Sequence, residues 1–173
     1  MTSTLLEANQ RDQAQFLKEL VTGLASTLQH SVGLEMSEDF IREVGLKIGD
    51  AMCRDYESAR NNGQLTVAEL AEILVDLKRK IDGGFSVESI DSSKIVLVND
   101  RCPFGNVVQG LPSLCKMTSS VFGRIASDHF GYARVEIKES IARANPRCRV
   151  VVHLEEPPVR GMMQGDEFIG HPR

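Results

Sequence analysis

Apolar residues recur along the first third of the chain at three- and four-residue spacing. Phe16, Leu17, Leu20, Val21, Leu24 and Leu28 make one stripe, which predicts a helix over about 4–31. Its first part, Glu7 to Gln15, is polar almost all round. Leu17, Val21, Leu24 and Leu28 also fit a short a/d seam, suited to a dimer contact. Gly33 breaks the pattern. Ser37 is placed to cap a second helix running to about Arg60, with Phe40, Ile41, Val44, Ile48, Ala51 and Met52 expected to face inward. A turn is expected at 61–63. Thr66 and Glu69 have capping-box spacing and open a third helix to about Ile81, whose buried side is Leu70, Ile73, Leu74 and Leu77.

The period then changes. "FSVESI" alternates and "KIVLV" is a short apolar run; joined by "DSS", they predict an antiparallel hairpin. A helix follows over about 112–130, with Pro112 at its first position and Gly131 just past its end. "YARVEIKE" and "CRVVVHL" are strands joined through "RANPR". The stretch after Glu155 has prolines and glycines and no period, and is expected to be a loose tail or an arm that orders against a partner. The expected fold is α+β: N-terminal helices followed by an antiparallel sheet of two hairpins covered by one long helix. The expected divisions are a helical dimerisation and signal-transfer region over 1–82, an α/β sensor-like core over 83–155 and a flexible tail over 156–173.

Composition narrows the function classes. The chain has 173 residues and a formal net charge of -4, which argues against direct contact with nucleic acid. No stretch reaches the roughly 18–20 consecutive apolar residues that span a bilayer. No basic leader with an apolar run opens the chain, so the four cysteines are expected as reduced thiols in the cytoplasm.

The chemistry-bearing candidates are three of those cysteines. Cys115 falls in the first turn of the helix from Pro112, where free amides and the helix dipole favour a thiolate. Cys148 shares strand parity with Val150, Val152 and Leu154, so it faces inward, and His153 faces away. The loop carrying Cys102 is long enough to fold back toward Cys115. The three thiols are therefore expected to converge beneath the start of the helix, although free cysteines also serve simply to fill space. Cys53 is expected to be a packing residue. No CxxC pair or His-x-x-x-His is present, so spacing by itself points only weakly to a metal. "LKRK" at 77–80 reads as a solvated helix end. Ser119, Ser120, Gly123, Ala126 and Ser127 allow close approach of another element, or leave room for a ligand.

The stretch "PSLCKMTSSVFGRIASDHFGYARVEIKESIARANPRCRVVVHLE" resembles the C-terminal half of the 4-vinyl reductase domain family. With "CPFG" included it looks like a relative, the methanogen output domain family. The resemblance implies a regulatory or sensory ligand-binding module beside a signalling or transcription-regulator protein; the seam of the first helix adds the expectation of a homodimer. It also implies a small-molecule ligand and, in some relatives, zinc held by cysteines. Carried over, Cys115 and Cys148 match two of those ligands, while Ser140 and Ile137 stand where two others would be. Cys102 supplies a third thiolate, with Glu136 or Glu139 nearby. The expected metal residues are thus Cys102, Cys115 and Cys148, holding zinc or an iron–sulfur cluster, with direct response to oxidation equally open. The competing expectation is a hydrolase with Cys115 as nucleophile, for which the sequence offers no base.

Overall fold

The computed structural model describes residues 11–58, 65–158 and 164–170. The start of the predicted first helix, the turn at 61–63 and parts of the C-terminal stretch lie outside these residues.

Helix α1 (Gln13–Ser58) is helical on both sides of Gly33, where the backbone takes φ 83 and ψ 170. Such a conformation suits glycine, and it places the break where the pattern predicted one. Ser37 is not a cap. It lies inside the second arm, and its hydroxyl donates back to the Leu34 carbonyl at 2.7 Å. Helix α2 (Val67–Arg79) opens with the expected capping box: the Thr66 hydroxyl accepts from the Glu69 amide, and the Glu69 carboxylate accepts from the Thr66 amide.

Strands β1 (Phe85–Ile90) and β2 (Lys94–Asn99) form the first hairpin, its turn held by Asp91 Oδ1, which accepts from Ser93 and Lys94. A short 3-10 turn at Pro112–Leu114 leads into helix α3 (Cys115–Phe130), which ends at Gly131 with φ 80. Strands β3 (Tyr132–Glu139) and β4 (Cys148–His153) form the second hairpin. Residues assigned to the loose tail supply a further strand, β5 (Asp166–Ile169), on the free edge of β3. The sheet is antiparallel throughout, in the order β1-β2-β4-β3-β5.

One face of the sheet is covered by α3 and α2. Ile95, Leu97, Val135, Val150 and Val152 pack there against Leu70, Leu74, Phe122, Ile125 and Ala126. The second arm of α1 lies across α3; of the residues predicted to face inward, Ile41 is buried and Met52 partly so, but the buried line is otherwise a different one. Ile41, Gly45, Gly49 and Cys53 are its buried line, whereas Phe40, Val44 and Ile48 are exposed. The reason is steric. A Cβ on Gly45 would stand 2.6 Å from Ser120 Cβ, and one on Gly49 would stand 2.9 Å from Arg124 Cβ. The glycine line lets the two helices approach closely, and this outweighs the larger transfer energy of the apolar line beside it. The small residues of α3 are thus packing surfaces on two sides. Ser120 meets α1, and Gly123 lies beneath the Phe168 ring of β5, where a Cβ would come within 2.1 Å.

Candidate functional site

The three candidate thiols stand at three chain transitions that the sheet brings together. Cys148 is the first residue of β4 and pairs with Asn99, the last residue of β2. Its amide donates to Asn99 Oδ1 at 3.2 Å, and its sulfur accepts from the Ile141 amide at 3.5 Å. Cys115 is the first residue of α3, and its thiol donates to Ser140 Oγ at 3.5 Å. Cys115 and Cys148 therefore touch neighbouring residues of one turn. Ser140, which stands where the resembling family has a further cysteine, does adjoin Cys115. Cys102 follows the same Asn99 by three residues, and its carbonyl accepts from the Gly105 amide at 2.9 Å. All three cysteines pack on one apolar cluster that includes Val108, Leu111, Leu114 and Ile141. Each lies within electrostatic reach of the other two.

A residue the sequence pattern placed in solvent completes the arrangement. Lys78 is not part of a solvated helix end; it is buried, at 7% exposure. Its Nζ donates to Thr118 Oγ1 at 2.7 Å and sits 5.2 and 5.7 Å from the ring centroids of Phe122 and Phe85. Its stem and the Pro103 ring both approach Gly83, which ties Lys78 to the Cys102 loop. Thr118 lies one helical turn beyond Cys115, so Nζ is held beside the start of α3. Among the described residues Lys78 makes no salt bridge; its neighbours Arg79 and Lys80 both pair with Asp76 in solvent, as the pattern predicts for a helix end.

Burial decides the protonation of this group. It lowers the Lys78 ammonium to about 8, with the charges of Cys102, Cys115 and Cys148 opposing the shift. Burial raises the Cys148 thiol to about 11 and raises Cys102 and Cys115 as well. Nearby cations oppose the shift, Lys78 and Lys18 at Cys102 and Arg143 and Lys78 at Cys115, while at Cys115 and Cys148 the charges of the other thiols add to it. Cys53 lies elsewhere. It is buried between α1 and the main core, and its thiol is raised to about 12 by burial and by Asp128, Glu57 and Asp50.

Other expected participants are drawn away. Glu139 follows a bulge in β3 and is taken by Arg147 at 2.9 Å. Glu136 is engaged by Lys138, Arg134 and His153. His153 thus lies on the side of β4 away from Cys148, as its parity predicts. Among the described residues, no three His, Cys, Asp or Glu side chains meet as a group able to hold a metal ion. Beside Cys115 is a cavity of about 190 Å³, bounded by Pro112, Lys116, Arg143, Glu38 and Asp166. Lys116 bridges two elements there, reaching Asp166 of β5 at 2.7 Å and Glu38 of α1 at 3.5 Å.

The model of one protein family, methanogen output domain 1, matches residues 20–153. The chain belongs to that family. No curated protein matches it. The matched span begins within the first arm of α1 and ends at the last residue of β4, so it contains Lys78 and all three thiols. Among the described residues, no helix is long and apolar enough to cross a membrane.

Proposed function

We propose that the chain is a regulatory sensor or signal-output module. It reads a small molecule, a metal or a redox signal at the site of Cys102, Cys115, Cys148 and Lys78, and passes the change to α1. The observation that carries this reading is the buried Lys78 ammonium, set near three thiols and, among the described residues, with no carboxylate partner. An uncompensated buried charge costs several kcal/mol, so its retention in a core that apolar residues would fill argues for a use. The family description, an output domain, supports a signalling role. Its natural partner is a signalling or transcription-regulator protein.

The route outward is short. Lys116 follows Cys115 directly and holds Glu38, five residues past the Gly33 break in α1. The first arm of α1 presents an apolar stripe that is exposed among the described residues, with Phe16 at 56% and Leu24 at 63% exposure. At 1.5 Å per residue, that arm extends about 30 Å, long enough for a two-stranded seam with a second copy. We assign it to a homodimer whose helix pairing is the element that the site biases.

A hydrolase with Cys115 as nucleophile is the weaker reading. Burial holds that thiol protonated, its sulfur bonds to the Ser140 hydroxyl, and Lys78, the neighbouring group best able to take a proton, is bonded to Thr118 instead.

The test is a thiol count on the folded protein before and after hydroperoxide, with zinc, iron and sulfide assayed on the same sample, and with the oligomeric state measured throughout. Loss of two thiols as one disulfide, the peroxide being reduced to water, supports the redox signal. Stoichiometric zinc or iron supports the metal. A monomer with inert thiols and no metal would contradict both the signal and the dimer.

A further inference from the structure

Strand β5 meets the rest of the molecule as a peptide meets a groove. It lies beyond the family match, which ends at residue 153 with β4. Its backbone pairs with the edge of β3 from Tyr132 to Val135. Its side chains enter separate, shaped positions. The Phe168 ring is buried over Gly123 of α3, where a Cβ would come within 2.1 Å, so the notch exists only because that residue is glycine. The Arg42 guanidinium of α1 stands 5.4 Å from the centroid of the same ring and donates to the Glu167 carbonyl at 3.3 Å. Asp166 accepts from the Lys116 ammonium and from the Ser119 hydroxyl of α3. Glu167 accepts from the Tyr132 hydroxyl at 3.0 Å. A strand edge for the backbone, a notch for a ring and a cation for a carboxylate are the elements of recognition by strand addition.

The groove is longer than its occupant. Gly165, at φ 123, turns the chain off the edge, and among the described residues no strand pairs with β3 beyond Val135 on that side. The cavity beside Cys115 lies at this point, lined by Gly165 and Asp166 and by Glu136 and Ile137, where β3 runs on. We propose that the groove is the docking site for an extended segment of a partner protein that carries a carboxylate two residues before an aromatic side chain, and that the chain's own residues 166–169 close it until such a segment displaces them. Tethering gives the chain's own segment an effective concentration on the order of millimolar; the partner gains over it by pairing further along Glu136 and Ile137. Displacement takes Asp166 from Lys116, which also holds Glu38 of α1. The groove gives the signalling partner proposed above a recognition element, and rests on that reading only for the existence of a partner.

The test uses the full chain and a labelled peptide of the sequence QGDEFIG, residues 164–170, as the probe. Full-chain Phe168→Ala, its fold checked by circular dichroism, should bind the peptide saturably and at least about tenfold more tightly than wild type, whose own segment competes. A peptide with alanine in place of its phenylalanine should bind at least about tenfold more weakly, and Phe168→Ala combined with Gly123→Ala should lose binding to the same degree. Should Phe168→Ala fail to fold, wild type serves: excess peptide should speed protease cutting within residues 164–170, and the alanine peptide should not. No saturable binding to folded Phe168→Ala, equal binding of the two peptides, or cutting that neither peptide changes would overturn the proposal. If the peptide fails while peroxide or metal still changes the oligomeric state, the docking groove falls and the signalling reading stands.

Discussion

Lys78 Nζ donates to Thr118 Oγ1 at 2.7 Å, and through that bond a charged residue of α2 is fixed one helical turn from the thiol that begins α3. Every other described lysine near a carboxylate in this chain pairs with it in solvent or at a partly open surface; Lys78 has a hydroxyl, two aromatic faces and three thiols.

This arrangement fixes a pH dependence. The ammonium is lowered from its ordinary value near 10.5 to about 8 by burial. Between those two values the unfolded chain holds a proton that the folded chain has released, so this group's contribution to stability rises with pH through the window and is lost as pH falls through about 8. Lys78→Met removes that dependence. The stability difference, wild type minus variant, should climb by up to about 3 kcal/mol from pH 7.5 to 10.5, as read by denaturant unfolding at several pH values. A flat difference would mean that the ammonium is not desolvated.

Cys115 and Cys53 should tolerate an added negative charge to different degrees. Cys115 lies near two cations, Lys78 and Arg143, as well as the Cys102 thiol, whereas Cys53 lies near three acids, Asp128, Glu57 and Asp50, with Arg124 as its one cation. Cys53→Asp should lose about 3–5 kcal/mol, the cost of an unpaired buried charge. Cys115→Asp should unfold at a clearly higher denaturant concentration than Cys53→Asp. Equal losses would show that the surroundings of Cys115 are not cationic.

Much of this was legible in the sequence. The strands followed from alternation, the capping box from Thr66 and Glu69, and the ends of α3 from Pro112 and Gly131. The places of Cys115 at a helix start and of Cys148 at a strand start were legible too. Lys78 was not legible. At the end of an amphipathic helix a lysine ordinarily extends its charge to water, and only the Cys102 loop and α3 closing over it decide otherwise. The buried line of α1 was hidden for a related reason. Hydrophobic period ranks Phe40 and Val44 above Gly45 and Gly49, while the contact with α3 is set by how closely the backbones approach. Strand β5 has only four residues among glycines and prolines, too few to show a period; it forms because Phe168 finds the gap above Gly123 and Asp166 finds Lys116 and Ser119.

That last contact is itself testable. In Gly123→Ala the new methyl would overlap the Phe168 ring, and the ring belongs to a short edge strand that can leave. The variant should lose about 1–3 kcal/mol. Protease should cut near residues 164–170 at least several times faster than in wild type. Unchanged cleavage would mean that β5 is not held by this packing.

The account's central claim is that chemistry at the thiol–lysine site is felt along α1. Hydrogen exchange along α1, measured on the full chain before and after hydroperoxide and with the thiol count taken in parallel, tests it most directly. The account predicts that loss of thiols is accompanied by altered amide protection from residue 13 through the Gly33 break to the Glu38 turn. Thiols that do not react in the folded protein, or thiols that react while exchange changes only around residues 102, 115 and 148, would contradict it.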